Sequence, residues 1–242
     1  MSVRNKLMHI LSVLVFSTGI LLGMVLLGST VWKELEAFLF APSIGADERF
    51  TTLSCPLMMT TTESGTITAR IKNPTDRTIQ PLLRTQISQG LVTLKREFDE
   101  RPAIPAGETQ EFHWTVTAED AVWDRFILVR VYQFRHFPLP SRTGTCGILV
   151  VNLPDVSGSQ IIAAVLAASL LSMVAGGGLW VRGSRPLKGQ SLYATRAMAA
   201  LAGSVLAGIL ASFLGWWLVG GLLFLFAVLL AVVIISYFLL AS

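Results

Sequence analysis

Apolar positions along this chain follow two patterns, which divide it into membrane-like flanks and a strand-like middle. Residues 8–32 are apolar almost without interruption, apart from His9 near the start. At 1.5 Å per residue, about 24 helical residues reach about 36 Å, enough to cross a hydrocarbon core of about 30 Å. A second run covers 160–181. From Met198 to Ser242 there is no charged residue, which leaves room for two further spans, 197–217 and 219–241. The break between them is predicted at Gly215-Trp216-Trp217 or at Gly220-Gly221, since tryptophan favours the membrane interface. One long tilted helix is the alternative.

Between the first and second spans the period changes from helical to alternating. In residues 66–72, Ile67, Ala69 and Ile71 share one face and polar residues the other. Asn73-Pro74-Thr75-Asp76 reads as a turn. Residues 79–88 and 91–98 continue as strands, with Leu83 and Ile87 on one face and Arg84, Gln86 and Ser88 on the other. A turn at Pro105-Ala106-Gly107-Glu108 leads into Phe112, Trp114 and Val116. Residues 125–135 align Ile127, Val129 and Val131, and 146–153 form the last strand. With 53–59 at the front, about seven strands in about 100 residues predict an all-β antiparallel sandwich over 50–153. Residues 33–49 are juxtamembrane. There Leu35, Phe38 and Leu39 share a helical face, with Lys33, Glu34 and Glu36 directed to water, or the segment simply extends the first span.

The succession of an alternating strand, Asn73-Pro74-Thr75-Asp76, a long middle, then Pro105-Ala106-Gly107-Glu108 before Phe112-His113-Trp114-Thr115-Val116 resembles bacterial Ig-like surface domains of the CARDB-like kind. The resemblance covers about residues 50–153. It implies an Ig-like fold and an extracytoplasmic location, and it brings no catalytic residues.

Charge fixes the expected topology. The chain has 19 basic and 15 acidic residues. All the acids lie between Glu34 and Asp155, and 13 of the basic residues lie in the same region, from Lys33 to Arg142. The other six, Arg4, Lys6, Arg182, Arg185, Lys188 and Arg196, flank apolar runs with no acid beside them. This distribution points to membrane topology and away from nucleic acid: residues 1–7 and the basic loop 182–196 cytoplasmic, the β domain outside, the C-terminus inside. The hydrophobic content of 52% against 14% charged agrees with an integral, multi-pass protein of the plasma membrane. A cleaved signal peptide is the competing reading of the first run. Ala41-Pro42-Ser43 is a passable cleavage site, but the apolar stretch exceeds a usual signal core. Cys55 and Cys146, at opposite ends of the outer region, form the expected disulfide, with two buried thiols as the alternative.

Candidate chemistry is sparse. Apart from His9 at an edge, the spans carry no ionisable residue of the kind that pumps and proton relays use. His113 and His136 have no zinc-ligand spacing around them, and Cys146 is followed by Gly-Ile-Leu-Val-Val-Asn-Leu, without the close His and Met of a blue-copper site. Asp99, Glu100, Glu119 and Asp120 fall at predicted turns and read as solvated charges. No cofactor, metal or catalytic group is expected, and the sequence names no small-molecule ligand. Gly176-Gly177-Gly178 either breaks a helix or permits close packing.

Small residues recur every four positions: Gly19 and Gly23 in the first span, Ala164, Ala168, Ser172 and Gly176 in the second, Gly203, Ala207, Ala211 and Gly215 in the third. A parallel row, Ala200, Ser204, Gly208 and Ser212, also lies on the third. Such rows bring helix backbones close in lipid, either within this chain or against a partner subunit. Outside the membrane, Arg135, His136, Phe137, Pro138, Leu139, Pro140 and Arg142 form a candidate interaction loop of aromatic and basic groups. The pattern fits a non-enzymatic accessory or scaffold subunit that presents the β domain for assembly with other membrane proteins. A small transport component, or a ligand-binding sensor, is the alternative.

Overall fold

The structure, a computed structural model, describes residues 3–40 and 46–240, with side chains for 7–40 and 46–236. The Ala41-Pro42-Ser43 segment lies outside the described residues, as do the side chains of Arg4 and Lys6. Among the described residues, four helices are long and apolar enough to cross a membrane: α1 (Val3–Leu39), α2 (Gly158–Gly183), α3 (Gln190–Phe213) and α4 (Trp217–Leu240). The chain divides into a helical unit, 1–31 with 161–242, and a second unit, 32–160, that holds every strand.

In the helical unit, α3 stops at Phe213 because Gly215 takes φ +80°, a left-handed conformation that glycine adopts at little cost. The Leu214 amide donates to the Leu210 carbonyl and the Gly215 amide to that of Ser212, which satisfies the helix end. The connection between α2 and α3 is shorter than the sequence suggests. Arg182 lies on α2 and Arg196 on α3, so only 184–189 are non-helical. The three glycines 176–178 do not break α2.

Among the described residues, nine strands build the second unit. A six-stranded sheet runs in the order β1 (Glu48–Arg49), β9 (Arg142–Val151), β8 (Phe126–Gln133), β5 (Leu83–Gln89), β6 (Leu91–Glu100), with β3 (Met58–Thr60) also on β9. A three-stranded sheet has the order β2 (Leu53–Ser54), β4 (Gly65–Lys72), β7 (Thr109–Val116). The larger sheet is mixed, which corrects the wholly antiparallel expectation: β1 and β3 run parallel to β9. Between them the chain leaves to pair β2 with β4 and then returns. Segments of two or three residues are too short to register as alternation.

The core forms where the inward faces of the two sheets meet. Ile67 pairs with Trp114 and Ala69 with Phe112 on one sheet, and these pack in one cluster with Leu83, Ile87, Ile127, Val129, Val131, Ile148 and Val150 from the other. Cys55 is joined to Cys146 by a disulfide with a Cα–Cα distance of 6.5 Å. The closed loop of 91 residues takes in strands β3 to β8 and the start of β9, and restricting it in the unfolded chain contributes about 4–5 kcal/mol on the loop-entropy account.

The two turn signals prove to be one clasp. Asn73 is fully buried, and its Nδ2 donates to the carbonyls of Arg77, Ile104 and Pro105 at 2.8–2.9 Å. Its Oδ1 accepts from the Thr75 amide and hydroxyl. The backbone completes the join: Asn73 N donates to Glu108 O, and Gly107 N to Thr75 O. Gly107, at φ +72°, supplies the left-handed residue the second turn requires.

Of the four acids read as solvated turn charges, Glu119 is exposed, whereas Asp99, Glu100 and Asp120 are structural partners. Asp99 lies on β6 and takes a two-point bond from Arg84 of β5, at 2.8 and 2.7 Å. Glu100 accepts from the Trp114 indole at 2.9 Å. Asp120 is buried, accepting from Arg96 at 2.7 Å and from the Thr117 amide at 2.9 Å. Strand β6 extends further than the pattern indicated and carries Asp99 and Glu100 on the outermost edge of the sheet, where charge discourages edge-to-edge pairing.

Candidate interaction surfaces

The end of α1 is an interaction surface that the amphipathic reading placed on the wrong face. Ala37 and Phe40 are the buried positions, packed with Val122 and Leu128, while Phe38 and Leu39 are exposed. Lys33 is buried as well, at 2% exposure, where it was expected in water. Its Nζ donates to the Gly147 carbonyl of β9 at 2.8 Å and pairs with Glu34 Oε1 at 2.6 Å. Gly147 makes this possible, because a Cβ there would stand 2.6 Å from the Lys33 carbonyl carbon. A buried ammonium is tolerated when it is paired and hydrogen-bonded, as this one is. Next to this crossing, Arg130 is buried and donates to the Phe40 carbonyl at 3.2 Å; burial lowers its pKa.

The loop 135–142 is more ordered than its composition implied. Asp47, far away in sequence, organises it. Its carboxylate accepts from the Ser141 amide at 2.9 Å and hydroxyl at 2.6 Å, and from Arg135 at 3.1 Å. These bonds, Ser141 first, hold the Asp47 pKa below the usual carboxylate range. Arg142 is paired with Glu48 at 2.9 Å. His136 and Leu139 exchange backbone hydrogen bonds, and Leu139 is buried in the core. What remains on display is Phe137, 82% exposed, with Pro138 beside it. The two arginines are committed to Asp47 and Glu48, so the tip presents an aromatic and a proline ring.

Glu63 does comparable work elsewhere in the β unit. One oxygen accepts from the Thr60 amide at 2.7 Å, the Thr60 hydroxyl at 3.1 Å and the Gly158 amide at 2.9 Å, fixing the chain where α2 begins. These bonds, that from Gly158 first, lower its pKa.

In the helical unit the small-residue rows divide into used and unused positions. At Gly19 a Cβ would lie 2.7 Å from the Met173 amide nitrogen and 2.8 Å from the Ser169 carbonyl, and the Ser169 hydroxyl donates to the Gly19 carbonyl at 2.7 Å. Gly23 faces Val205 and Ser169, and Gly176 lies against the Phe16 backbone. These three glycines bring α1 against α2 and α3. On α2 the inward face is Ser169, Met173 and Gly176; Ala164 and Ala168 are exposed, and Ser172 is half-buried. On α3 the parallel row forms the contact: Ser204, Gly208 and Ser212 are buried, with Gly208 against Leu27 and Leu223. Ala211 is buried too, Gly215 lies in the α3–α4 turn, and Gly203 and Ala207 are exposed. A Cβ at Gly203 would meet nothing within 4 Å. His9 stacks edge-on against Trp180, with ring centroids 5.1 Å apart. Among the described residues no group of three or more His, Cys, Asp or Glu side chains is placed to hold a metal ion.

By sequence, the chain matches no family model and no curated protein. By structure, part of it is similar to a segment of a cycloisomaltooligosaccharide glucanotransferase from Paenibacillus, at 16% identity and TM-score 0.32, over 44% of this chain and 14% of that one. A β-glucosidase from Listeria innocua matches at 17% identity and TM-score 0.27, over 40% and 15%. This chain therefore spans about one-seventh of the length of those enzymes. A CARDB domain from Pyrococcus furiosus, solved with di-metal ions, matches at 10% identity and TM-score 0.30, over 42% of this chain and 90% of that domain. Similarity of this degree is partial and carries no assignment of activity.

Proposed function

We propose that this protein is a non-catalytic accessory subunit of the plasma membrane, whose four helices hold an Ig-like β domain outside the cell for assembly with larger membrane proteins. The observation that carries the reading is the division of the small-residue rows. Gly19, Gly23, Gly176 and Gly208 serve packing within the chain, whereas Gly203 and Ala207 of α3, with Ala164 and Ala168 of α2, remain exposed. In lipid, burying apolar surface gives helices little reason to associate, so faces that let backbones approach closely favour a partner helix. Both termini are cytoplasmic in this reading, supported by the acid-free basic residues at 4–6 and 182–196. The disulfide supports an oxidising compartment for the β domain. The ordered Phe137-Pro138 tip supplies a second, extracytoplasmic contact.

The test uses the full chain, tagged and expressed in its native membrane, as wild type and as Gly203→Leu and Ala207→Leu. Stoichiometric partners recovered with the wild type are expected to fall at least about tenfold in both variants, the loss of about 1.4 kcal/mol or more of helix packing. Unchanged recovery, with the disulfide and β domain intact, refutes a partner on this face.

A further inference from the structure

The β unit carries an apolar rim at one end. Register places the β5–β6 turn, the start of β8 and the end of β9 together: Gln89 pairs with Leu91, Ile87 with Val129, and Phe126 with Leu149. The Ser88 hydroxyl donates to the Asp120 carbonyl, and Val150 N to Arg125 O, which bring the 117–125 segment to the same end. Here Leu91, Val92, Leu94, Trp123, Leu153 and Val156 are all exposed. The 135–142 loop and the Asn73 clasp occupy the opposite end, where Leu83 pairs with Glu100 and Gln133 with Arg142.

Trp123 is held outward by its backbone. It takes φ +53° and Asp124 φ +55°, consecutive left-handed residues that are rare outside glycine and costly for a bulky side chain. The turn is closed by Val122 N to Phe126 O at 2.7 Å and Phe126 N to Val122 O at 3.1 Å. Val122 is buried against Ala37 and Phe40, with Phe126 packed on the same cluster. The flanking residues are thus anchored, and the indole between them is 55% exposed.

Chain connectivity says what lies opposite. Only residues 152–157 separate the last strand from α2, a helix long and apolar enough to span a bilayer. Six residues extend no more than about 20 Å. On the proposed reading that α2 spans a membrane, the rim is the end of the β unit from which the chain leads into that helix. Tryptophan with leucine and valine is the composition that settles at the headgroup level, where the indole N–H stays wet and the ring is buried. We propose that Trp123 and the 91–94 segment rest in the lipid headgroup region and steady the β domain on the bilayer surface.

The test uses the full chain, which among its described residues has no free cysteine. Single variants Trp123→Cys, Leu94→Cys and, at the opposite end, Phe137→Cys are labelled with an environment-sensitive fluorophore. Each is reconstituted in phosphatidylcholine–phosphatidylglycerol vesicles containing headgroup-level nitroxide lipid. Labels at 123 and 94 should lose emission about twofold or more and be shielded from aqueous iodide, with the label at 137 unaffected by the nitroxide. Equal quenching and equal iodide access at all three sites would overturn the proposal. So would shielding at 123 that disappears when the vesicles are diluted to one chain each, because a second copy would then be the cover. The Leu94→Cys variant retains Trp123, so the result does not depend on removing the anchor.

Discussion

Replacing Asn73 with alanine tests whether the clasp between the two turns holds the β domain together. The substitution removes from a fully buried site an amide whose two Nδ2 hydrogens are shared among three carbonyls and whose Oδ1 accepts two bonds. At about 1 kcal/mol net per bond, with the Ile104 and Pro105 carbonyls keeping their backbone donors Ile79 N and Glu108 N, the loss comes to about 3–4 kcal/mol. Thr75→Val removes a hydroxyl whose single hydrogen is shared between Asn73 Oδ1 at 2.6 Å and the Arg77 carbonyl at 2.9 Å, and should cost about 1–2 kcal/mol. Since one of those bonds ends on Asn73, the double variant should lose less than the two single losses together. Pulse proteolysis of the full chain in mild detergent across a urea series reads these values, because cleavage follows unfolding of the strand-rich unit. An Asn73→Ala cost under about 1 kcal/mol, or strict additivity with Thr75→Val, would refute the clasp.

Three further predictions bear on the other surfaces. Gly147→Ala places a methyl group against the Lys33 backbone and should destabilise the β unit by about 1–3 kcal/mol in the same assay, whereas Gly90→Ala, with open space around it, should show only the smaller penalty of its positive φ. Asp47 and Glu63 have carboxyl pKa values lowered in the folded protein. Their contribution is therefore complete above the unfolded carboxyl range, about pH 4 to 4.5, and is lost as pH falls through the lowered folded values. Urea midpoints should decline below about pH 4.5 in the wild type and flatten in an Asp47→Asn/Glu63→Gln variant. Gly19→Leu drives a side chain into the Ser169–Met173 backbone and should break the helical bundle, read as lost recovery of monodisperse protein in detergent, while Gly203→Leu leaves it intact.

The strands were legible where alternation ran long enough to fix a face. Ile67, Ala69 and Ile71 face the core as the pattern requires, and so do Phe112, Trp114 and Val116. Asn73 and Gly107 were legible as turns, though not as halves of one clasp, since no local pattern records that Asn73 reaches Ile104 and Pro105. The α1–sheet crossing was misread for a physical reason. An amphipathic pattern assumes that the buried surface is apolar, and here the helix meets the Gly147 carbonyl, so lysine is the residue that goes inside. Spacing located the packing glycines but not their faces. On α3, two rows of small residues are equally good by composition, and the partner side chains Leu27 and Leu223 decide for Gly208. The 135–142 loop looked free because its organising acid, Asp47, is 88 to 94 positions away.

The measurement that tests the central claim most directly is purification of the wild-type chain from its native membrane in mild detergent, with quantitative mass spectrometry of what accompanies it. An accessory subunit predicts one fixed set of larger membrane proteins in constant stoichiometry with this chain, crosslinked through α3 near Gly203 and Ala207. Recovery of the chain alone, or only with further copies of itself, would contradict that reading.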